Sequence, residues 1–161
     1  MEAKELSKVW KAVSACASND KTRHAISRVN VASATRIEAT DGHVLIRWES
    51  AAPHGMAVGQ YDPKKTLALL RAGVTPTPEQ TQDQWPNTDA LLTDADGERT
   101  PASCVGFDAA LLGTLADAVA VASGERLGHV QVHLGSSLDP AIIRAKGNNG
   151  AAVGLIMPVR L

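Results

Sequence analysis

The dipeptide Asp41-Gly42, set between the β-rich stretches 35–40 and Val44-Leu45-Ile46-Arg47-Trp48, constrains this chain more than any other feature. Aspartate can close a turn with its own carboxylate and glycine reaches positive φ without a Cβ clash, so the pair predicts a tight reversal. Two strands joined that closely run antiparallel. The stretch 24–32 adds β-branched Ile26, Val29 and Val31, with the two valines at strand spacing, and predicts a further strand beside them.

Helical periodicity brackets this sheet. Over 5–17, Leu6, Val9, Trp10, Val13 and Cys16 fall on one face, with Lys4, Lys8 and Lys11 outside that stripe. Asp62-Pro63 reads as an N-cap and first helical residue, predicting a second helix over 63–72 that carries Lys64, Lys65 and Arg71. A third starts at Phe107-Asp108, continues through Leu111, Leu112, Leu115, Ala118 and Val119, and stops at Gly124. Strands are expected at 128–134, 140–145 and 151–159, with Gly147-Asn148-Asn149-Gly150 as a turn. The segment 73–103, with four prolines, reads as a long loop holding a short strand at Ala90-Leu91-Leu92. Helix, strands, helix, loop, helix, strands is an α+β order, not an alternating parallel one.

At 161 residues and 44% hydrophobic, the chain can bury one sizeable core, so a single domain over 1–161 is expected. No apolar run is long enough to span a bilayer and the charged start Met1-Glu2-Ala3-Lys4-Glu5 lacks a signal core, which predicts a soluble, cytoplasmic protein with no membrane partner. Cys16 and Cys104 lie too far apart for a Cys-x-x-Cys metal site and read as small hydrophobes. A net charge of −1 excludes a broadly basic nucleic-acid binder and leaves only a local patch. Aromatics at 3% argue against a base-stacking platform for single strands.

Catalytic and metal signatures are missing. There is no Gly-rich phosphate loop, no His-Glu-x-x-His and no nucleophile elbow. His129 and His133 share a strand face but lack a third ligand, and Asp41 with His43 is better read as turn chemistry than as an acid/base pair. Binding without catalysis and without a cofactor is the expectation.

Two strings then carry a resemblance. Ala39-Thr40-Asp41-Gly42-His43-Val44-Leu45 resembles a segment in the middle domain of the bacterial DNA polymerase III sliding clamp (β subunit), with Val44 where that motif has arginine. Ile156-Met157-Pro158-Val159-Arg160-Leu161 resembles the clamp's carboxyl terminus. The segments Leu6-Ser7-Lys8-Val9, Asp20-Lys21-Thr22-Arg23, Phe107-Asp108 and Pro140-Ala141-Ile142-Ile143 are similar to the flanking helices, turn and strand, so the likeness covers 5–72 and 105–161.

The resemblance implies a DNA-clamp (processivity) fold of two helix-plus-antiparallel-sheet halves, 1–72 and 105–161, separated by a variable loop over 73–104. It implies a hydrophobic peptide pocket at Ile26, Thr40, Gly42, His43, Leu45, Met157, Pro158, Val159 and Arg160, taking the clamp-binding peptides of replication or repair proteins. It also implies that Lys4, Lys8, Lys11, Arg23, Lys64, Lys65 and Arg71 face duplex DNA. Two readings stay open: a clamp-like replication or repair accessory protein, assembled as a homo-oligomer, and a non-ring interaction protein or regulator that binds no DNA.

Overall fold

The computed structural model describes residues 2–20, 22–81, 83–95, 105–136 and 138–159. Among the described residues four helices and seven strands follow in chain order: α1 Ala3–Ser14, β1 Val29–Ser33, β2 Arg36–Thr40, β3 Val44–Glu49, β4 Gly59–Tyr61, α2 Pro63–Arg71, α3 Thr88–Ala95, α4 Ala109–Ser123, β5 Gln131–His133, β6 Ala141–Gly147 and β7 Gly150–Ile156. All strands join one antiparallel sheet in the order β4-β1-β2-β3-β7-β6-β5. The α+β reading therefore holds. The first half supplies α1, α2 and β1 to β4, the second supplies α4 and β5 to β7, and β3 against β7 is the seam.

The caps explain where the helices lie. Asp62 accepts from the Lys65 amide at 2.7 Å ahead of Pro63, and Asp108 accepts from the Ala110 and Leu111 amides at 2.9 Å each. Gly124 closes α4 with φ 73°, a left-handed residue that costs glycine little. Helices α1 and α4 lie against one face of the sheet. Leu6, Val9, Trp10 and Val13 from α1 and Leu115, Ala118, Val119 and Ala122 from α4 meet Val29, Val31, Ile37, Ile46, Trp48 and Ile143 in one core. Trp10 packs edge-on against Tyr61, 5.8 Å between ring centres, and its Nε1 donates to the Pro63 carbonyl, which anchors α2 beside α1.

Strand β3 is buried on both faces because successive side chains alternate. Val44, Ile46 and Trp48 enter the helix-side core. Leu45 points to the other face, where it clusters with Leu92 and Ala95 of α3 and with Ile142 and Leu155.

Several expectations need correction. Ala90-Leu91-Leu92 lies in helix α3, not in a strand. A short apolar run is ambiguous by pattern, and here Asn87 Oδ1 accepts from the Ala90 amide while Leu92 and Ala95, three apart, pack on the sheet. Residues 24–28 are turns, so the first strand begins only at Val29; Asp20 takes the Thr22 amide and hydroxyl, and the Ser27 amide bonds back to Arg23. The strands expected over 128–134 and 151–159 shrink to 131–133 and 150–156, and β4 is an addition. The 147–150 turn is as expected, a two-residue connection between β6 and β7.

Candidate functional site

The turn after β2 is built by its own polar side chains. Asp41 Oδ1 accepts from the His43 and Val44 amides at 2.7 and 2.8 Å, while Thr40 Oγ1 donates to the Val44 carbonyl at 2.6 Å and accepts from the Gly42 amide at 3.1 Å. Gly42 sits at φ +95°, a conformation that favours glycine, and a Cβ there would displace the movable end of Arg23, whose Nη2 lies 2.7 Å from that position. Arg23 Nη1 donates to the Asp41 carbonyl at 2.9 Å. That residue therefore braces the turn as well as carrying charge.

Pairing of β3 with β7 brings the second motif alongside. Val44 faces Ile156, and the Met157 amide continues the ladder to the His43 carbonyl at 3.1 Å. Both motifs thus meet within one chain. His43, Met157 and Val159 are exposed, with Pro158 half-buried between the last two, and the Val159 amide bonds to Gly106 at 2.9 Å. Leu45 is buried under α3, so it fills the core and offers nothing to solvent. Ile26 is half-buried in the 22–28 turns, its carbonyl bonded to the Ser18 amide at 2.9 Å. Arg160 lies outside the described residues, as does Cys104. Cys16 is buried beside this turn, and burial, then the Asp41 charge, pushes its thiol up to about 12, consistent with a structural cysteine.

The basic residues form a separate surface. Lys4, Lys8 and Lys11 are exposed at spacings of four and three, one row along α1. Lys64 and Lys65 are exposed in the first turn of α2 and Arg71 in its last. Cations in a first turn oppose the helix dipole by a few tenths of a kcal/mol to ~1 kcal/mol, so helix stability does not account for the two lysines. The exposed side of α4 contrasts with them: Ala109, Ala110, Gly113, Thr114, Asp117 and Val121 carry no positive charge.

One feature lay outside the sequence reading. On the sheet face away from α1 and α4, Glu38 is 1% exposed and accepts from Arg47 Nε at 2.6 Å and from Thr88 Oγ1 at 2.9 Å. Arg47 also reaches Thr88 Oγ1 and Asp89, at 2.8 Å each, and Arg36 bridges Glu49 and Asp89. The charge of Arg47, then that of Arg36, holds the Asp89 carboxyl below its usual range. This network pins the N-terminal end of α3 to β2 and β3. Beside it runs a groove of about 700 Å³ lined by Leu92, Val153, Arg144, Lys146, Glu125 and His129 among others. The register Thr40 to Leu45 also sets Glu38 opposite Arg47, so the pair was legible once the turn was placed. Among the described residues no group of three or more His, Cys, Asp or Glu could hold a metal, and no helix is long and apolar enough to cross a membrane.

No family model matches the sequence, and no curated protein does. Solved structures do. The sliding clamp of Bartonella birtlesii, bound to griselimycin, superposes with a TM-score of 0.66 at 16% identity, covering 100% of this chain and 65% of that one. The chain has the sliding-clamp fold. The Caulobacter clamp (C. crescentus) gives 0.68 at 15% identity over 100% and 64%, and the DNA polymerase III β subunit of Thermotoga maritima 0.67 at 12% over 100% and 65%. This chain therefore spans under two thirds of the length of the clamps it matches. At such identities the likeness establishes architecture; the resemblance read from the two motifs and the superposition agree on the same fold.

Proposed function

We propose that this chain is a sliding-clamp-like accessory protein of DNA replication or repair, binding rather than catalytic, which presents one surface to partner peptides and another to duplex DNA. The observation that carries the reading is the junction of the two motifs: the Met157 amide on the His43 carbonyl sets the Thr40–Val44 turn beside exposed Met157 and Val159. A rigid turn flanked by accessible aliphatic side chains suits a short peptide with apolar anchors. Its anchors would sit on Met157, Pro158 and Val159, with main-chain contact at Gly42 and His43. Arg160 and Ile26 complete the proposed set.

The DNA-facing surface would be Lys4, Lys8, Lys11, Lys64, Lys65 and Arg71, with Arg23 contributing from the turn it braces. These are sequence-independent phosphate contacts. If the six lysine and arginine positions on α1 and α2 all reach phosphates, the logarithm of affinity falls against the logarithm of salt with a slope of about −5.

Backbone amide shifts on adding a clamp-binding peptide test the first half: changes at His43 and Met157 are expected, and their absence at saturating peptide overturns it. Fluorescence anisotropy with duplex DNA across a salt series tests the second. The alternative, a non-ring regulator that binds no DNA, is favoured by the outer side of α4, which carries Asp117 and no positive charge, and it would show peptide-induced shifts with no DNA binding at low salt.

A further inference from the structure

The sheet face away from α1 and α4 is covered unevenly. Helix α3 sits over β3 through Leu92 and Ala95, and the Glu38–Arg47–Thr88 network holds its start. Beside it β7 and β6 are open, and the groove of about 700 Å³ lies along them. Its floor is low because β7 presents only Ala151 and Val153 there, set in register between Arg47 and Glu49 of β3 and Arg144 and Lys146 of β6. Those flanking strands stand two strand spacings apart, about 9.6 Å, so the trough is about as wide as an α-helix.

The two rims carry opposite charge. On the β3 side Glu49 and Asp89 are bound by Arg36 and Arg47, yet their side chains stay 47 and 67% exposed, and with Glu38 that side has three carboxylates to two guanidiniums. On the β6 side Arg144 and Lys146 outnumber Glu125, whose Oε2 accepts from the Leu127 and His129 amides at 2.9 and 2.7 Å. Lys146 is exposed and pairs with no carboxylate among the described residues. Between the rims the floor is apolar, and Leu92 bounds it toward α3.

We propose that this groove is a second docking surface, for an amphipathic helix of a partner protein whose apolar stripe is flanked by acidic residues on one side and basic residues on the other. Charge complementarity selects the flanks: the acidic one meets Arg144 and Lys146, and the basic one meets Glu49 and Asp89. Position selects a helix. The N–H and C=O groups of β3, β7 and β6 are spent on one another, so an extended segment lying across the middle of the sheet finds no main-chain partner, whereas a helix bonds its own. The short floor lets such a helix approach, and α3 packs on the adjoining half of this face in the same way. The site is distinct from the His43–Met157 junction, since Val44 to Glu49 carries β3 about 17 Å from one to the other. It does not depend on peptide or DNA binding elsewhere on the chain.

The probe is a designed, fluorescein-labelled peptide of about eighteen residues, long enough to hold a helix, with a Leu/Ala stripe, Glu along one flank and Lys along the other. Anisotropy against the full chain should show saturable binding, at least about tenfold tighter than for versions with both flanks Glu or both flanks Lys, and circular dichroism should show the peptide gaining helix. Amide shifts should fall on Ala151 and Val153 and spare His43 and Met157. Lys146→Glu should weaken the mixed-flank peptide by about tenfold and tighten the version with two Lys flanks, a reversal that misfolding cannot produce. Ala151→Phe, at an exposed position on the floor, should weaken every version by about tenfold or more while the unfolding midpoint holds. Absence of saturable binding overturns the proposal, as does affinity indifferent to the flanks, binding with no gain of helix, or variants that bind as the wild type does. A groove filled by a second copy of this chain would appear as wild-type self-association that Ala151→Phe removes, and that outcome overturns it too.

Discussion

Replacing Glu38 by alanine should cost this fold about 3 kcal/mol. The carboxylate is 1% exposed, and it accepts from Arg47 and Thr88 at 2.6 and 2.9 Å. Removing one member of a buried pair leaves the other charge desolvated and typically costs ~3–5 kcal/mol. Arg47, 8% exposed, would keep Asp89 at 2.8 Å, but that carboxylate's side chain is 67% exposed and returns under ~1 kcal/mol. Thr88 would lose its acceptor as well. At about 2 kcal/mol per molar urea for a chain of this size, the unfolding midpoint should fall by about 1.5 M. Hydrogen exchange over Thr88–Ala95 should accelerate by more than global destabilisation explains, because the network holds that end of α3. An exposed control, Lys8→Ala, should stay within about 0.5 kcal/mol. A midpoint shift of under ~0.5 M for Glu38→Ala, or exchange in α3 that merely follows global unfolding, would refute the assignment of the network as the clasp of α3.

Leu92→Ala empties the centre of the Leu45, Ala95, Ile142 and Leu155 cluster and should cost roughly 2–4 kcal/mol in urea unfolding. Asp108→Ala removes the acceptor of two helix-start amides and should cost about 1 kcal/mol, with Asp108→Asn recovering most of it. Burial holds the His54 pKa below its usual 6.5, and the ring stacks on Trp48 while Nδ1 accepts from the Met56 amide. The neutral ring is therefore the one the fold accommodates. Its contribution is complete above the unfolded pKa and is lost as pH falls through about 6.5 toward the depressed folded value. Melting temperature should accordingly decline between about pH 7 and 5, and His54→Gln should flatten that part of the profile.

Local chemistry made much of this fold legible. Asp41-Gly42, Asp62-Pro63, Asp108 with Gly124, and Asn148-Asn149 are positions where one or two side chains decide the backbone, and each turn or cap lies where those residues indicate. Ala90-Leu91-Leu92 could not be decided that way. Its conformation depends on the apolar outer face of β3, β6 and β7, made by residues far along the chain, although Asn87 was a visible capping signal. Ile26 misled for the opposite reason: a β-branched residue suggested a strand, but Asp20 begins a turn whose hydrogen bonds carry the chain through 28 before pairing starts. The likeness in the two motifs left open whether those segments meet within one chain or between chains, and the β3–β7 register brings them together within one. It could not reveal that Leu45 is covered, because the cover comes from the segment with no counterpart in the resemblance.

That cover couples the fold to the proposed peptide surface. Leu92 packs against Leu45, so with α3 in place the proposed peptide surface would be limited to the turn and to Met157 and Val159. The buried Glu38–Arg47 pair is what holds α3 down at its start. If a peptide also uses Leu45, binding and closure of α3 compete, and the apparent affinity is reduced by the fraction of molecules with α3 lifted. Glu38→Ala would then tighten peptide binding even as it weakens the fold, the opposite of what damage to a preformed site produces. Titrating the same peptide against wild type and Glu38→Ala separates the two: tighter binding in the variant places Leu45 in the site, and equal affinity confines the site to the exposed turn and the Met157–Val159 segment.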